Sequence, residues 1–337
     1  MFSSRLRVHV ELALAALATV AALAVTVATA EAKPDATQAK VNVYVDILNN
    51  WSSYVYKSRG LYLEAVDPQA GPTCKERNLR GPSSIGDTAK KTFADYKKAL
   101  AKKPKLPVDA QALEMVTVLM ELWEPTNEAS EYFYKRRFKD DECKRGQELH
   151  PRLMALWERY AVADRDLRAF VEKHNDDRQL AEIAKTKKKY GAKFRYHYEQ
   201  LLIDGKALVR TYDHALGSET PDVEAIKGAL ATFVATLEAT DALVAKDRDN
   251  KKIYNDLYQG GYTQFVKHGA WFREAIERSI KTLEERPDPA KFKKDADRER
   301  AEKQRVEKIV KERTQTIDAY NRYIDAANKV RLSKAIK

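Results

Sequence analysis

Two short segments contain most of the side chains that could do chemistry together. They contribute Lys75, Glu76 and Arg77 from a proline- and glycine-rich stretch, and Asp140, Asp141 and His150 from a charged stretch before a helix. Carboxylates beside a histidine can bind a divalent metal or exchange protons. Because the second group lacks i,i+4 spacing, we expect no metal site there. We interpret the six residues as an ion-paired polar clamp between a loop and a helix start.

A second candidate site is a basic and aromatic segment. Lys193, Arg195 and His197 lie within five residues, and Tyr198 follows them. Such a patch can hold an anionic or sugar ligand. The alternative is that His197 is an ordinary hydrogen-bonding residue of a helix.

No catalytic motif occurs in the chain. Neither a GxSxG nucleophile turn nor an HExxH zinc motif is present,. We therefore predict a protein that is not an enzyme and has no metal or other cofactor.

The amino terminus resembles an export signal. Arg5 and Arg7 precede an uncharged apolar run, and Ala28-Thr29-Ala30 offers a cleavage site between small residues,. Residues 1–30 are therefore predicted to be a signal peptide, with an uncleaved anchor as the alternative. No cysteine follows the run before Cys74, so no residue is available for lipid attachment, and we expect a periplasmic or secreted protein.

Cys74 and Cys143 are the two cysteines of the chain. Their separation excludes a CxxC redox or zinc motif. In an oxidising compartment we expect a disulfide between them, and two free buried thiols are the alternative.

Apolar residues recur at alternating spacings of three and four along nearly the whole chain. The first such stripe includes Tyr44, Leu48, Trp51, Val55 and Tyr62, and this period places the side chains on one helix face. With only 12 glycines and 33% charged residues, the chain favours helices over turn-rich β structure. We predict an all-α fold, an elongated antiparallel bundle of about seven or eight long helices with coiled-coil-like seams. Residues 31–337 would form a single domain, and 290–313 a highly charged exposed helix.

Some helix boundaries can be predicted from local signals. Pro151 suits a first turn, so one helix should begin at His150-Pro151 and end near residues 174–176. The next should cover about 179–216, and Pro125 should kink or break an earlier helix.

Several sequence segments resemble those of the YiiG-like family, a domain of unknown function found in bacterial envelope proteins and lipoproteins. They are GPTCKER at 71–77, FKDDECKRGQELHPRL at 138–153, KFRYHYEQLL at 193–202 and IDAYNRYIDAANKV at 317–330. The resemblance implies an exported, all-helical protein with no established reaction, and it brings the loop of Cys74 and the helix start of Cys143 together as a contact. This chain departs from the common lipoprotein form because it lacks the lipid-modified cysteine directly after the leader, so the resemblance does not imply a membrane tether here.

Charge and export together indicate the partners. The formal charge is +11, and removal of Arg5, Arg7 and Glu11 with the leader would leave +10. A basic envelope protein meets anionic glycans and lipid headgroups, whereas export disfavours nucleic acid.

We predict a non-catalytic binding or scaffold protein whose partner is an envelope protein or an anionic cell-wall or lipid component. The alternatives are a binding module for an anionic small molecule or glycopolymer and, least favoured, a hydrolase-type enzyme. With no second run of membrane-spanning length, we do not expect an integral membrane protein after cleavage.

Overall fold

The computed structural model describes residues 35–218, 220–246, 256–285, 290, 292 and 294–330. The predicted signal peptide lies outside these residues. Eight α-helices occupy the described part: α1 Ala36–Leu63, α2 Thr88–Ala101, α3 Asp109–Tyr134, α4 Lys144–Tyr190, α5 Phe194–Leu216, α6 Val223–Lys246, α7 Asp256–Glu284 and α8 Asp295–Asn328. A 3₁₀ turn covers Arg137–Lys139, and no strand occurs among the described residues. The all-α fold is confirmed.

Three predicted helix boundaries in the middle of the chain are wrong: the start of α4, the end of α4, and the start of α5, which begins at Phe194 and not near residue 179. Helix α4 begins at Lys144, so Pro151 lies inside it, and it continues past residues 174–176 to Tyr190. Asp176 stays helical because its carboxylate is held by Lys206 and Arg210 of α5, at 2.7 and 2.6 Å. The break comes instead at Gly191, whose φ of +78° suits glycine,. Helix α3 likewise passes through Pro125 without ending there.

The chain folds into two compact units, one ending at Asn175 and the other beginning at Asp176. The division falls inside α4. That residues 31–337 form a single elongated domain remains a prediction.

In the amino-terminal unit, buried polar groups connect α1 to the start of α3. The Lys40 ammonium is 4% exposed and donates to the carbonyls of Lys102 and Pro104 and to the Asp109 carboxylate, at 2.7–2.8 Å. Tyr44 donates to the other oxygen of Asp109. All three donor positions of the ammonium are therefore satisfied, as a buried charge requires.

Ion pairs cover the exposed seam between α3 and α4. Arg145, Arg152 and Arg159 are seven residues apart along α4, and each pairs with glutamates of α3 at 2.5–2.9 Å. These partners are Glu114, Glu121, Glu124 and Glu128. The heptad spacing keeps the guanidinium groups on one face of the helix. Because the partners are about half exposed, each pair adds only a little stability.

Tyr323 lies at the centre of the carboxy-terminal unit. It is fully buried, stacks on Phe265 at 5.0 Å, and donates a 2.7 Å hydrogen bond to the Leu201 carbonyl. Gly205 lets α5 approach this ring, since a Cβ there would lie 2.9 Å from Tyr323 Cε1. The glycine is therefore required by packing rather than by backbone conformation.

The charged segment predicted for 290–313 forms the first half of α8. Residues 294–300 are exposed, but residues further along are partly buried. Arg313 is 2% exposed and binds Asp213 at 2.6 Å. The segment is thus an exposed helix only in its first turns.

Candidate functional site

The predicted disulfide is present in the structure. Cys74 and Cys143 are bonded, with their Cα atoms 5.6 Å apart. The bond holds the loop between α1 and α2 against the residue that precedes α4. Both cysteines have positive φ, 58° and 72°. The loop and the helix start therefore meet, as the family resemblance implied.

Asp141 caps α4. Its carboxylate accepts hydrogen bonds from the backbone N–H groups of Cys143 and Arg145 at 3.1 and 3.0 Å, and from the Tyr132 hydroxyl at 2.6 Å. The Tyr132 bond, followed by the backbone bonds, lowers the pKa of Asp141. The side chain satisfies orphan donors of the first turn, which is a structural role.

His150 is buried between the loop and α1. Its Nε2 lies 3.2 Å from the Pro68 carbonyl, and its Nδ1 lies 3.1 Å from the Tyr62 hydroxyl. Since a carbonyl can only accept, Nε2 carries the proton and Nδ1 accepts from Tyr62. Burial lowers the pKa of His150, so the neutral ring is favoured,.

The remaining clamp residues are not joined into one polar site. Glu76 accepts from the backbone and hydroxyl of Thr73 at 2.6 and 2.9 Å, which stabilises its own loop. Lys75, Arg77 and Asp140 are exposed. Within the described residues, no ion pair connects the loop charges to Asp140 or Asp141. The disulfide and hydrogen bonds, not ion pairs, hold this contact.

The predicted anion-binding residues are separated by their partners. Arg195 forms an ion pair with Glu199 at 2.8 Å, and both side chains are largely buried. Burial, with the charge of Lys187, lowers the pKa of His197. Lys193 is exposed at the N-cap of α5, which has no side-chain cap. Of the three residues, Lys193 alone presents an exposed charge.

An open groove lies between α7 and α8 in the carboxy-terminal unit. It has a volume of about 290 Å³. Helix α7 contributes His268, Trp271, Glu274 and Arg278, and helix α8 contributes Gln315, Asp318, Ala319 and Arg322. Trp271 is 41% exposed although large aromatic side chains are usually buried,.

The indole of Trp271 is held in place by its neighbours. The His268 ring packs edge-on at 4.7 Å, and the Lys267 ammonium lies 4.8 Å from the indole centroid. Burial, followed by the charges of Arg322, Lys267 and Lys329, lowers the pKa of His268, which favours the neutral ring. The indole is thus packed against two side chains of its own helix and partly exposed in the groove.

Several charged groups of the groove have no partner within the part of the chain that the structure describes. Glu274, Asp318 and Arg322 make no ion pair or side-chain hydrogen bond with any residue in the described ranges. Arg278 approaches Glu312 only at 3.9 Å. These groups are open to a ligand, unlike those of Asp141, His150 and Arg195.

This groove was not predicted from the sequence, although its residues recur at a helical period. His268, Trp271, Glu274 and Arg278 recur at spacings of three and four, as do Gln315, Asp318 and Arg322. The signal is weak because charged residues at helical spacing are usually a solvated face. Only the packing of α7 beside α8 shows that the two stripes face one groove.

The described residues contain no group of three or more His, Cys, Asp or Glu side chains arranged to hold a metal ion. One described helix, α6, is long and apolar enough to cross a membrane by length and composition, with 28% of the relevant window buried. The premise that the chain has no second run of membrane-spanning length is therefore wrong by this measure. The α6 side chains Ile226, Phe233 and Leu237 pack in the core of the carboxy-terminal unit.

The fold defines the class of the protein, an all-helical bundle protein. The chain belongs to the family described as "Protein of unknown function (DUF3829)", whose model matches residues 35–329. This match covers helices of both compact units, and it confirms the resemblance to the YiiG-like family.

A curated relative is the uncharacterized protein YiiG of Escherichia coli (strain K12). The two chains are 26% identical over 229 residues, which cover 63% of this chain and 64% of the relative. The match therefore spans somewhat less than two thirds of the relative's length. No solved structure matches the chain.

Proposed function

We propose that the protein is an exported, non-catalytic binding or scaffold protein of the cell envelope, which holds its partner at the groove between α7 and α8. The partner is an envelope protein or a cell-wall component. The observation that carries the proposal is the partly exposed indole of Trp271 beside charged groups that have no partner among the described residues. Binding sites combine an apolar surface with a few convergent polar groups in this way.

Export is supported by two independent features. The leader before residue 31 has the charge and apolar pattern of a signal peptide,. The disulfide of Cys74 and Cys143 is of a kind that persists in oxidising compartments,.

A non-catalytic role is supported by how the candidate acid–base residues are used. His150 and Asp141 are occupied by hydrogen bonds that hold a loop and start a helix. A catalytic base would need access to a substrate proton.

In-cell photocrosslinking tests the proposal. A benzoylphenylalanine placed at Gln315 in the groove should give a discrete crosslinked product in the envelope fraction. The matched control is the same residue at Tyr134, which is 85% exposed but lies in the other unit, and it should not give that product.

Two results would contradict the proposal. One is the absence of any product at Gln315, or the same product at both positions. The other is a protein recovered from the cytoplasm with free thiols and an intact leader, as measured by its mass after alkylation.

The alternative, a module for an anionic small molecule or glycopolymer, is favoured by a different observation. Lys187, Lys188 and Lys189 end α4 and are exposed, and Lys193 follows them at the uncapped start of α5. Free N–H groups at a helix start and nearby lysines attract anions. Replacement of the three α4 lysines by glutamate should then weaken binding to polyphosphate at low salt, where screening is small. Unchanged polyphosphate binding would remove this alternative.

A further inference from the structure

The groove between α7 and α8 has a chemistry that selects among ligands. We propose that it binds a neutral saccharide, with one pyranose ring stacked against Trp271. This inference rests on the proposed function and specifies the ligand class at the same site.

The first argument is the indole itself. The Lys267 ammonium lies over the Trp271 ring at 4.8 Å and the His268 ring packs against it at 4.7 Å, while 41% of the residue stays exposed. The sugar would stack on the part of the indole that these two neighbours leave exposed. A pyranose ring has an apolar face of C–H groups that matches such a surface. Because His268 and Lys267 already pack against the indole, part of its side-chain entropy is lost before binding,.

The second argument is charge. The groove lining contains two carboxylates, Glu274 and Asp318, and two guanidinium groups, Arg278 and Arg322. The four lining charges therefore cancel, and Lys267, whose ammonium lies 4.8 Å from the indole centroid, adds one positive charge beside the ring. With so small a net charge, the groove offers little to select a strongly charged ligand of either sign.

The third argument is hydrogen-bonding geometry. Carboxylate and guanidinium groups offer two adjacent acceptors or two adjacent donors, and the amide of Gln315 offers one of each. Neighbouring sugar hydroxyls both donate and accept, so they can pair with all three kinds of group. Since Asp318 and Arg322 have no partner among the described residues, a sugar would not have to displace an internal bond.

The fourth argument is size and shape. A volume of about 290 Å³ is at the lower end of ligand sites and suits one or two sugar rings,. A peptide helix would need a longer apolar groove with several anchor pockets. Here Trp271 and Ala319 are the apolar members of the lining.

The experiment uses the mature protein labelled with 5-fluorotryptophan. The chain has four tryptophans, so ¹⁹F NMR should give four signals, which single Trp→Phe variants assign. Addition of maltotetraose or tetra-N-acetylchitotetraose should shift the Trp271 signal and leave those of Trp51, Trp123 and Trp157 in place. We expect affinities on the order of millimolar for so open a site.

Variants test the assigned contacts through the shift of a ¹H–¹⁵N correlation spectrum, which does not require Trp271. Trp271→Ala should weaken binding about tenfold, whereas Trp271→Phe, which keeps an aromatic face, should weaken it less than about threefold. Asp318→Asn and Arg322→Gln should each weaken binding about threefold to tenfold. Tyr134→Ala is the matched exposed-aromatic control and should have no effect.

Three results would overturn the inference. The first is that neither neutral sugar shifts the Trp271 signal. The second is that a tetragalacturonate binds more tightly than both neutral sugars. The third is that the peptide Gly-Ala-Ala-Gly binds with an affinity equal to that of the sugars. In each case a crosslinked product at Gln315 would leave the proposed function standing while the ligand class is wrong. Loss of the product as well would contradict both.

Discussion

Replacement of Gly205 by alanine should destabilise the carboxy-terminal unit, although alanine is the better helix former. The exchange gains up to about 1 kcal/mol of helix propensity. Against this, the new Cβ would lie 2.9 Å from Tyr323 Cε1 and 3.2 Å from Phe233 Cε2. Tyr323 has no free space to move, because it is fully buried, stacked on Phe265 and hydrogen-bonded to Leu201.

The expected magnitude follows from these contacts. Overpacking of a filled core costs about 1–3 kcal/mol, and loss of the tyrosine hydrogen bond costs about 1 kcal/mol more. After subtraction of the helix gain, Gly205→Ala should lower the free energy of unfolding by about 1–3 kcal/mol. Gly228→Ala is the matched control, because a Cβ there meets nothing within 4 Å, and it should raise stability by up to about 1 kcal/mol.

Urea unfolding followed by the ¹⁹F signal of Trp271 measures the effect. Trp271 is the one tryptophan between residues 176 and 337, so its signal reports on the carboxy-terminal unit. If Gly205→Ala is as stable as Gly228→Ala, the close packing against Tyr323 is not present. The cost should also shrink in a Tyr323→Leu background, where the ring edge is absent. An unchanged cost there would assign the effect to another contact.

Three further predictions concern the amino-terminal unit. Replacing both Cys74 and Cys143 by alanine should lower its free energy of unfolding by about 4 kcal/mol in the chain-entropy model, because the bond closes a separation of 69 residues. An unchanged urea midpoint, followed by the ¹⁹F signal of Trp157, would contradict this. Lys40→Met should lower the free energy of unfolding by about 3 kcal/mol because it leaves the Asp109 carboxylate without its cation,. The double variant with Asp109→Leu should lose less stability than Lys40→Met alone, and equal losses in urea unfolding would refute that reasoning. Burial lowers the pKa of His150, so the stability that the neutral ring contributes is complete above the unfolded pKa of about 6.5 and is lost as the pH falls from there toward the folded pKa. His150→Gln should therefore flatten the decrease in melting temperature between about pH 7 and pH 5. An identical pH profile of the two proteins would show that His150 is not involved.

Much of the helical fold can be predicted from spacing alone. The stripe of Tyr44, Leu48, Val55 and Tyr62 is buried in α1 as its period indicates. A period fixes a helix face without tertiary information, so such stripes are read reliably. Boundaries are harder because distant partners decide them. Asp176 stays helical through Lys206 and Arg210, which lie about 30 residues further on and which no local signal reveals.

The candidate site was less predictable than the fold. The cysteine pair followed from the export signal and the family resemblance, and the structure contains the disulfide. By contrast, Arg195 resembled a free cation in the sequence but is paired with Glu199 one turn later. Trp271 resembled another member of a mixed helix face, and only the neighbouring α8 places Asp318 and Arg322 beside it in one groove. Residue types can be read from a sequence, whereas which of their charges stay unpaired depends on packing.

The most direct test of the proposed function is the in-cell crosslink yield at Gln315, compared between the native chain and the Trp271→Ala variant. Both proteins should reach the envelope fraction in equal amounts, since Trp271 is 41% exposed and does not belong to the buried core of the carboxy-terminal unit. We expect one discrete product in the native chain and a yield about tenfold lower in the variant. An equal yield in the two proteins would contradict the claim that the groove between α7 and α8 holds the partner.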